Sequence, residues 1–487
     1  MSVRETDHPK AVLGVVFLVM FLVSLDLSIV NVALPEIDRE LDFSASGLSW
    51  VINAFTLPYA GLMLLGGRLA DLTGRRRLLL VGLLVFAVAS ACGGAAQDDW
   101  QLIAARAVQG VAAAVLSPMS LALVNSEFPE GPARSKAMAV WGGAGAAGGA
   151  FGVVMSGLLT DHLNWRWVMW VNLVFVAVAI VTVLRGVDNA PVVRRGPVDV
   201  LGAASVTIGM TALVAAVIST STHSWGSVTV LGWFVGGIVA LAVFVWAELH
   251  ATDPLVPLGF LRRRSLLGAI AFGFMLVSAQ IASFYFVSQF LQRVLEYSPT
   301  VTGLSFLPFC VGVVVGLRIA QSTISRFGSR QVVVAGGLVG AAGLAWFGRA
   351  TVDSGFLTAV LGPSLVCSIG IGAAMVAIGV AGVTGVAAEQ AGLASGILNS
   401  SRQLGGSLGL AILVTVAGSI IGNSYARDDL ADGYTTALTI AAGLLVVGSV
   451  AAAVILPRRD GGMQPNDEPV AADVRSARPI TAEDHPY

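Results

Sequence analysis

The sequence predicts an all-α integral membrane protein of fourteen transmembrane helices, built as two six-helix bundles with two linker helices inserted between them. Three observations predict it. Apolar residues make up 56% of the 487-residue chain and charged residues only 12%, about half the charged share of a soluble domain. Fourteen apolar runs are each long enough to cross a bilayer, which takes about 20 helical residues. A Gly/Arg-rich stretch from Gly67 to Arg77 also has a weaker copy at 321–330.

The runs lie at about 11–34, 48–69, 78–97, 101–124, 137–160, 167–185, 199–219, 228–248, 266–289, 301–324, 331–349, 355–384, 393–421 and 434–456. They are continuous rather than alternating, which selects helices over a β-barrel. Residues 1–10 form a short polar lead. The first run is too long for a signal-peptide core and lacks a small-residue cleavage site, so it is expected to stay as an anchor. Runs one to six make the first bundle, 11–186. Runs seven and eight fall in a linker, 187–265. Runs nine to fourteen make the second bundle, 266–456. Residues 457–487 are polar, with Pro, Asp and Glu, and read as a disordered extension.

Basic residues set the orientation. The side of the N-terminus collects 21 of the 28 Lys and Arg, among them Arg68, Arg75, Arg76, Arg77, Arg134, Lys136, Arg326, Arg330 and Arg402. The opposite side collects five: Arg39, Arg166, Arg293, Arg349 and Arg427. Arg106 and Arg318 lie inside runs. The positive-inside rule makes the arginine-rich side cytoplasmic, with both termini on it. Dropping one run would invert every later loop, so the bias also tests the count of fourteen. Lysine is nearly absent (Lys10 and Lys136), and abundant Arg, Ala, Gly and Val suggest a high-GC bacterium, hence its cytoplasmic membrane.

Several function classes find no support. There is no phosphate-binding Walker sequence, no metal-ligand spacing among the five histidines and no Ser/His/Asp arrangement. Cys92, Cys310 and Cys367 lie singly in apolar runs and read as packing. No cofactor, metal or nucleic acid is expected. The expected partners are a small amphipathic molecule, protons and the lipid bilayer, and the expected state is a monomer.

Asp26 stands near the middle of the first run. A carboxylate there costs about 2.5–3.5 kcal/mol on insertion scales, so it should face a cavity or a partner. Burial disfavours its charged form, which makes it a candidate proton carrier. Arg106, in the fourth run, is its natural partner. Gln109, Ser117 and Ser120 share the Arg106 face at 100° per residue, a polar stripe that suggests a water-filled path. The plainer alternatives are a fixed ion pair that orients helices and an arginine that snorkels to the surface.

The Gly67–Arg77 stretch reads as a tight charged turn with a mechanical role. Gly67 and Gly74 permit close approach and positive φ. Asp71 can accept hydrogen bonds from a helix N-terminus, and Arg75 can latch onto carboxylates or phosphates. The plain alternative is a positive-inside loop. In the copy, Gly328 falls 254 residues after Gly74, flanked by Arg326 and Arg330. Repeated halves of this kind are a transporter architecture.

Small residues mark possible seams. The fifth run holds Gly145, Gly148, Gly149, Gly152 and Gly157, with two overlapping GxxxG spacings; Gly405 and Gly409 repeat the spacing in the thirteenth. Such seams allow close helix contact, either static or sliding between halves. Polar and aromatic residues inside runs are candidates for the substrate path: Asn31, Asn53, Gln109, Ser117, Gln280, Phe284, Arg318 and Asn399. Arg318 lies about 12 Å deeper than Arg326. It suits an anionic substrate group, a carboxylate partner or the headgroups.

These residues together resemble a family. Gly67 to Arg77 resembles the first-loop signature of the major facilitator superfamily. Leu25-Asp26 with Ile29 to Pro35 resembles the first helix of its fourteen-helix drug:proton antiporters. Leu102 to Gly110 resembles their fourth-helix motif, and Asn164 to Asn172 the start of their sixth helix. Tyr297-Ser298-Pro299 with Gly303 and Leu307-Pro308 fits their ninth-to-tenth connection. Ala394-Ser395-Gly396, Asn399 and Arg402 to Gly406 fit their thirteenth helix. The match reaches nearly to Leu456.

The resemblance implies two bundles rocking about a central cavity, with proton influx driving efflux of amphipathic drugs. It makes Asp26 the coupling carboxylate, Arg106 its partner, and Asp71 and Arg75 parts of a cytoplasmic gate meeting the thirteenth helix. The chain departs from the pattern where Gly152-Val153 replaces Gly-Pro and Ser156-Gly157 replaces Gly-Gly. Ser325 stands in place of an acid, and Arg318 in place of a proline. The second half also lacks a mid-membrane acid, which favours neutral, zwitterionic or anionic amphiphiles over dications.

Overall fold

The computed structural model describes residues 9–44, 47–129, 131–187, 199–220, 222–251, 255–256, 259, 263–386, 390–422 and 426–458, without the side chains of 67, 68, 70–73, 135 and 391. The extension at 459–487 and most of the polar lead lie outside the described residues. Among those described there is no strand. The helices are α1 (Pro9–Leu41), α2 (Trp50–Thr73), α3 (Arg75–Gly94), α4 (Asp99–Glu127), α5 (Pro132–His162), α6 (Arg166–Gly186), α7 (Val200–Ser219) and α8 (Val228–His250). They continue as α9 (Arg264–Gln289), α10 (Pro299–Ser305), α11 (Leu307–Phe327), α12 (Ser329–Phe347), α13 (Gly362–Val383), α14 (Ala391–Ile421) and α15 (Arg427–Ile455). Helices α10 and α11 form one broken span, giving 14 membrane-length helices. The break at Phe306 precedes Pro308, which tolerates only a first-turn position.

Three details differ from the sequence reading. The charged turn contracts to one residue. Helix α2 runs on to Thr73, so Gly67 and Asp71 lie within its last turns and only Gly74 reverses the chain, at φ 86°. Its copy does the same with Gly328, at φ 83°. Only glycine enters this region without a Cβ penalty. Second, α1 extends through Pro35 to Leu41 instead of ending near 34. Third, Arg402 is not on the arginine-rich surface. It lies eleven residues inside the continuous α14, which starts at Ala391.

Pro35 explains how α1 continues. Proline has no N–H to give the carbonyl four residues back. That carbonyl, on Asn31, instead accepts the Ser288 hydroxyl of α9 at 2.9 Å. The next carbonyl, Val32, accepts the Gln292 amide at 2.9 Å. A helix defect thus becomes an attachment point between the two halves of the chain.

Within the first half, α1 packs on α5 and α6, and α2 on α4, around Val15, Leu22, Phe55, Leu83, Leu116 and Val183. In the second half, α9 packs on α14 and α15, and α12 on α13 and α15. The halves meet along α2–α14, where the Thr56 and Ser407 hydroxyls lie 2.5 Å apart and the Ser400 hydroxyl donates to the Ala60 carbonyl. They also meet at α5–α10, where a Cβ on Gly157 would sit 2.4 Å from the Pro299 carbonyl oxygen. The α7–α8 hairpin lies over the α2–α14 seam: Met210 and Val214 pack with Leu57 and Ala411. Helix α8 leaves Trp233, Val235, Val239 and Trp246 exposed. Such a face is stable only in lipid or against a partner.

Candidate functional site

Asp26 is fully buried at the centre of the first half. Helices α1, α4 and α6 converge on it. The Arg106 Nη1 donates to its Oδ2 at 2.5 Å. The Asn172 amide donates to Oδ1 at 2.7 Å, and the Gln109 amide to the same oxygen at 3.2 Å. Both carboxylate oxygens are therefore satisfied in the ionised state. Arg106 is held in turn: its Nε donates to the Val51 carbonyl at 3.0 Å, and its guanidinium lies 4.5 Å from the Phe55 ring centroid. The Ser90 hydroxyl accepts from Gln109 at 2.8 Å and donates to the Phe86 carbonyl. The pair is fixed, buried and complete, and it carries the one mid-span acid among the described residues.

The predicted polar stripe of α4 divides. Arg106 and Gln109 serve Asp26, so Gln109 is a ligand of the carboxylate in this structure. Ser117 lies 4.0 Å from the Met20 sulfur and beside the Tyr59 hydroxyl. Ser120 accepts from the Trp141 indole at 2.9 Å. Asn31 donates to the Leu27 and Ser28 carbonyls, and its side-chain oxygen is buried with no partner among the described residues. Asn53 is wholly buried, and neither of its amide atoms has a partner among the described residues. Phe284 stacks on Phe306 at 5.1 Å, and Gln280 is partly buried on the same helix. Asn399 accepts from Arg402 at 3.2 Å. Arg318 is exposed on α11, with no hydrogen bond or ion pair to any described residue.

The glycines sort by neighbour. A Cβ on Gly148 would lie 2.4 Å from the Phe21 carbonyl oxygen and one on Gly152 2.8 Å from that of Leu25, while Gly145 faces Met20 and Ser24. These three serve the α1–α5 contact within one half. Gly149 faces open space, and Gly157 alone of the five meets the other half. Gly405 and Gly409 bring α14 onto α9 at Phe274 and Ser278.

Of the gate residues, Asp71 and Gly67 have side positions outside the described set. Arg75 lies 3.7 Å from Glu127 at the end of α4. Arg330 donates to the Ala453 carbonyl of α15, and Arg326 lies over the Phe327 ring. Sequence reasoning from the residues themselves missed Ser90, Phe55 and Tyr59. A lone serine or aromatic in an apolar helix carries no signal of what it faces.

This architecture matches a family description across most of the chain: the Major Facilitator Superfamily, over residues 16–410. The chain belongs to that superfamily. This facilitator-superfamily transporter is 38% identical to a puromycin resistance protein of Streptomyces alboniger, over 96% of this chain and 94% of that one. It is also 38% identical to a cephamycin export protein of Amycolatopsis lactamdurans, over 85% and 86% of the two chains. A bacterial homologue of the human lysosomal transporter Spinster, solved inward-facing and unoccupied, superposes with a TM-score of 0.66. That likeness, at 14% identity over 93% of this chain and 98% of the other, is one of fold. The protein is thus a multi-pass membrane transporter acting on small molecules.

Proposed function

We propose that this transporter exports antibiotic-like amphipathic molecules from the cytoplasm, driven by proton influx through alternating access. The carrying observation is the buried Asp26–Arg106 pair. Protonation of Asp26 removes the anion, leaves Arg106 with neutral partners and converts a neutral cluster into a cationic one. Such a change biases one packing of the halves over another, which is what coupling requires. The relatives named for puromycin resistance and cephamycin export support the substrate class.

In this reading the arginine-rich end, with both termini, faces the cytoplasm of a bacterium, and the protein works as a monomer in the cytoplasmic membrane. Residues 11–186 and 266–456 are the moving bundles, and 187–265 is the linker. The opposite end is closed in this structure by Ser288, Gln292 and the Arg293–Asp38 ion pair. Asp71, Arg75, Arg326 and Arg330 belong to the cytoplasmic side of the cycle.

A second reading, an uncoupled facilitator, rests on Val153. It stands where antiporters carry proline, and its carbonyl packs against Gly303 of α10. Purified protein in liposomes separates the two, with internal pH followed as puromycin or a cephamycin is added. Substrate-dependent proton movement that disappears in Asp26→Asn supports antiport. Transport without proton movement supports the facilitator, and coupled transport by Asp26→Asn sinks the Asp26 assignment.

A further inference from the structure

We propose that Arg402, with Asn399 and Tyr59, binds a carboxylate or similar oxyanion of the substrate between the two halves; this deepens the transport reading above, on which it rests. Arg402 lies about 16 Å along α14 from its start, at 1.5 Å per residue. Its stem lies over Gly273 of α9, where a Cβ would be 2.8 Å from the Arg402 Cγ. Its guanidinium donates to the Asn399 oxygen at 3.2 Å and rests against the Met375 thioether. Across the interface stands Tyr59 of α2, whose hydroxyl hydrogen-bonds Ser117 and lies within electrostatic range of Arg402.

What Arg402 lacks is an acid. Four described arginines of the spans and the arginine-poor end do meet one: Arg293 with Asp38, Arg166 with Glu40, Arg427 with Glu296 and Arg106 with Asp26. Arg402 pairs with no described carboxylate, although it stands eleven residues inside α14. An intramembrane cation without a counter-ion is costly. A guanidinium carries five donors in a planar fork, and one amide oxygen and a thioether leave much of that fork unused. Its complement is a planar oxyanion held by two parallel hydrogen bonds. Arg402, Asn399 and Met375 are each partly exposed, so the group is not sealed in the core.

The same geometry links this point to the proton site. The Tyr59 ring lies 5.8 Å from the Phe55 ring, and Phe55 covers Arg106. A substrate anion drawn to Arg402 therefore acts two rings away from the Asp26 pair.

The test uses binding, not transport. The full chain in nanodiscs is titrated with dansyl-leucine, which carries a free carboxylate, and with its methyl ester, which does not. Wild type should bind the carboxylate at least about tenfold tighter than the ester. Arg402→Gln should bring the two affinities together, and Arg402→Lys, which keeps the charge but not the fork, should keep only part of the preference. The readout is binding at equilibrium, so wild type that binds with the carboxylate preference but moves no protons overturns the coupling reading and leaves this one standing. Equal wild-type affinities, no binding of either probe, or a preference that survives Arg402→Gln overturns the proposal.

Discussion

Arg76 and Arg330 perform the same structural act in the two halves of the chain. Each stands two residues after a glycine of positive φ, Gly74 and Gly328. Arg76 donates to the Leu184 carbonyl in the last turn of α6, at 3.0 Å. Arg330 donates to the Ala453 carbonyl in the last turn of α15, at 3.1 Å from its Nε. A cation at a helix C-terminus satisfies an orphan carbonyl and opposes the negative end of the dipole.

Removing either arginine should therefore cost about 1 kcal/mol, since each is only partly buried. Arg76→Gln and Arg330→Gln should each lower the melting temperature in detergent by a few degrees at most, and their effects should add because the sites are far apart. A double variant that loses much more or much less than the sum would show that the brackets are coupled.

The two halves of the Asp26 cluster should respond unequally to mutation. Arg106→Ala strands a buried carboxylate, a loss of about 3–5 kcal/mol when one partner of a buried pair is removed. Asp26→Asn also strands a buried charge, that of Arg106, but it keeps the shape of the cluster and some of its hydrogen bonds, whereas Arg106→Ala also loses the bonds to Val51 and Gln109 and the contact with Phe55. Thermal stability measured side by side should place Arg106→Ala well below Asp26→Asn. Equal losses would mean that the extra bonds and packing of Arg106 add nothing beyond the pairing of charges.

Asn172 tests the cluster from a third helix. Its amide gives Asp26 the shortest neutral hydrogen bond of the site, 2.7 Å. Asn172→Leu removes that donor and puts a larger apolar group beside a buried anion, so a loss of about 1–3 kcal/mol is expected. Proton-coupled transport in liposomes, followed across external pH, should change its profile, because the carboxylate loses its shortest neutral donor. An unchanged pH profile would place Asn172 outside the coupling step.

Much of this was legible in the sequence, and the limits have physical causes. Continuous apolar runs and the arginine asymmetry gave all fourteen spans, because lipid leaves the backbone no choice but helix. Asp26 and Arg106 announced each other, since an intramembrane acid needs a partner. The turn residues were found but overextended: a charged, glycine-rich stretch looks like a loop, yet α2 carries it as helix to Thr73 and needs one residue, Gly74, to reverse. Arg402 was counted with the arginine-rich side although the run at 393–421 contains it, because a count of charges by side weighs which end a residue is nearer and not how deep it stands. The neighbours of a residue in another helix, such as Tyr59 for Arg402, follow from helix rotation and tilt, which apolar patterning in lipid does not specify.

Pro35 provides the last prediction. It frees the Asn31 carbonyl, and Ser288 of α9 takes that carbonyl at 2.9 Å. Arg293 and Asp38 form an ion pair one turn further along. In Pro35→Ala the restored backbone N–H competes for the Asn31 carbonyl, so Ser288 is displaced and the attachment between halves weakens. Arg293→Gln weakens the same end independently. Each should raise the fraction of molecules open at that end, and the combination should raise it further. Fluorescent maleimide labelling of a cysteine placed at Gln289, buried behind this contact, reads the opening directly. Labelling should quicken several-fold in Pro35→Ala and more in the double variant. A rate no faster than that of the unsubstituted background would mean that these bonds follow closure of the halves instead of holding it.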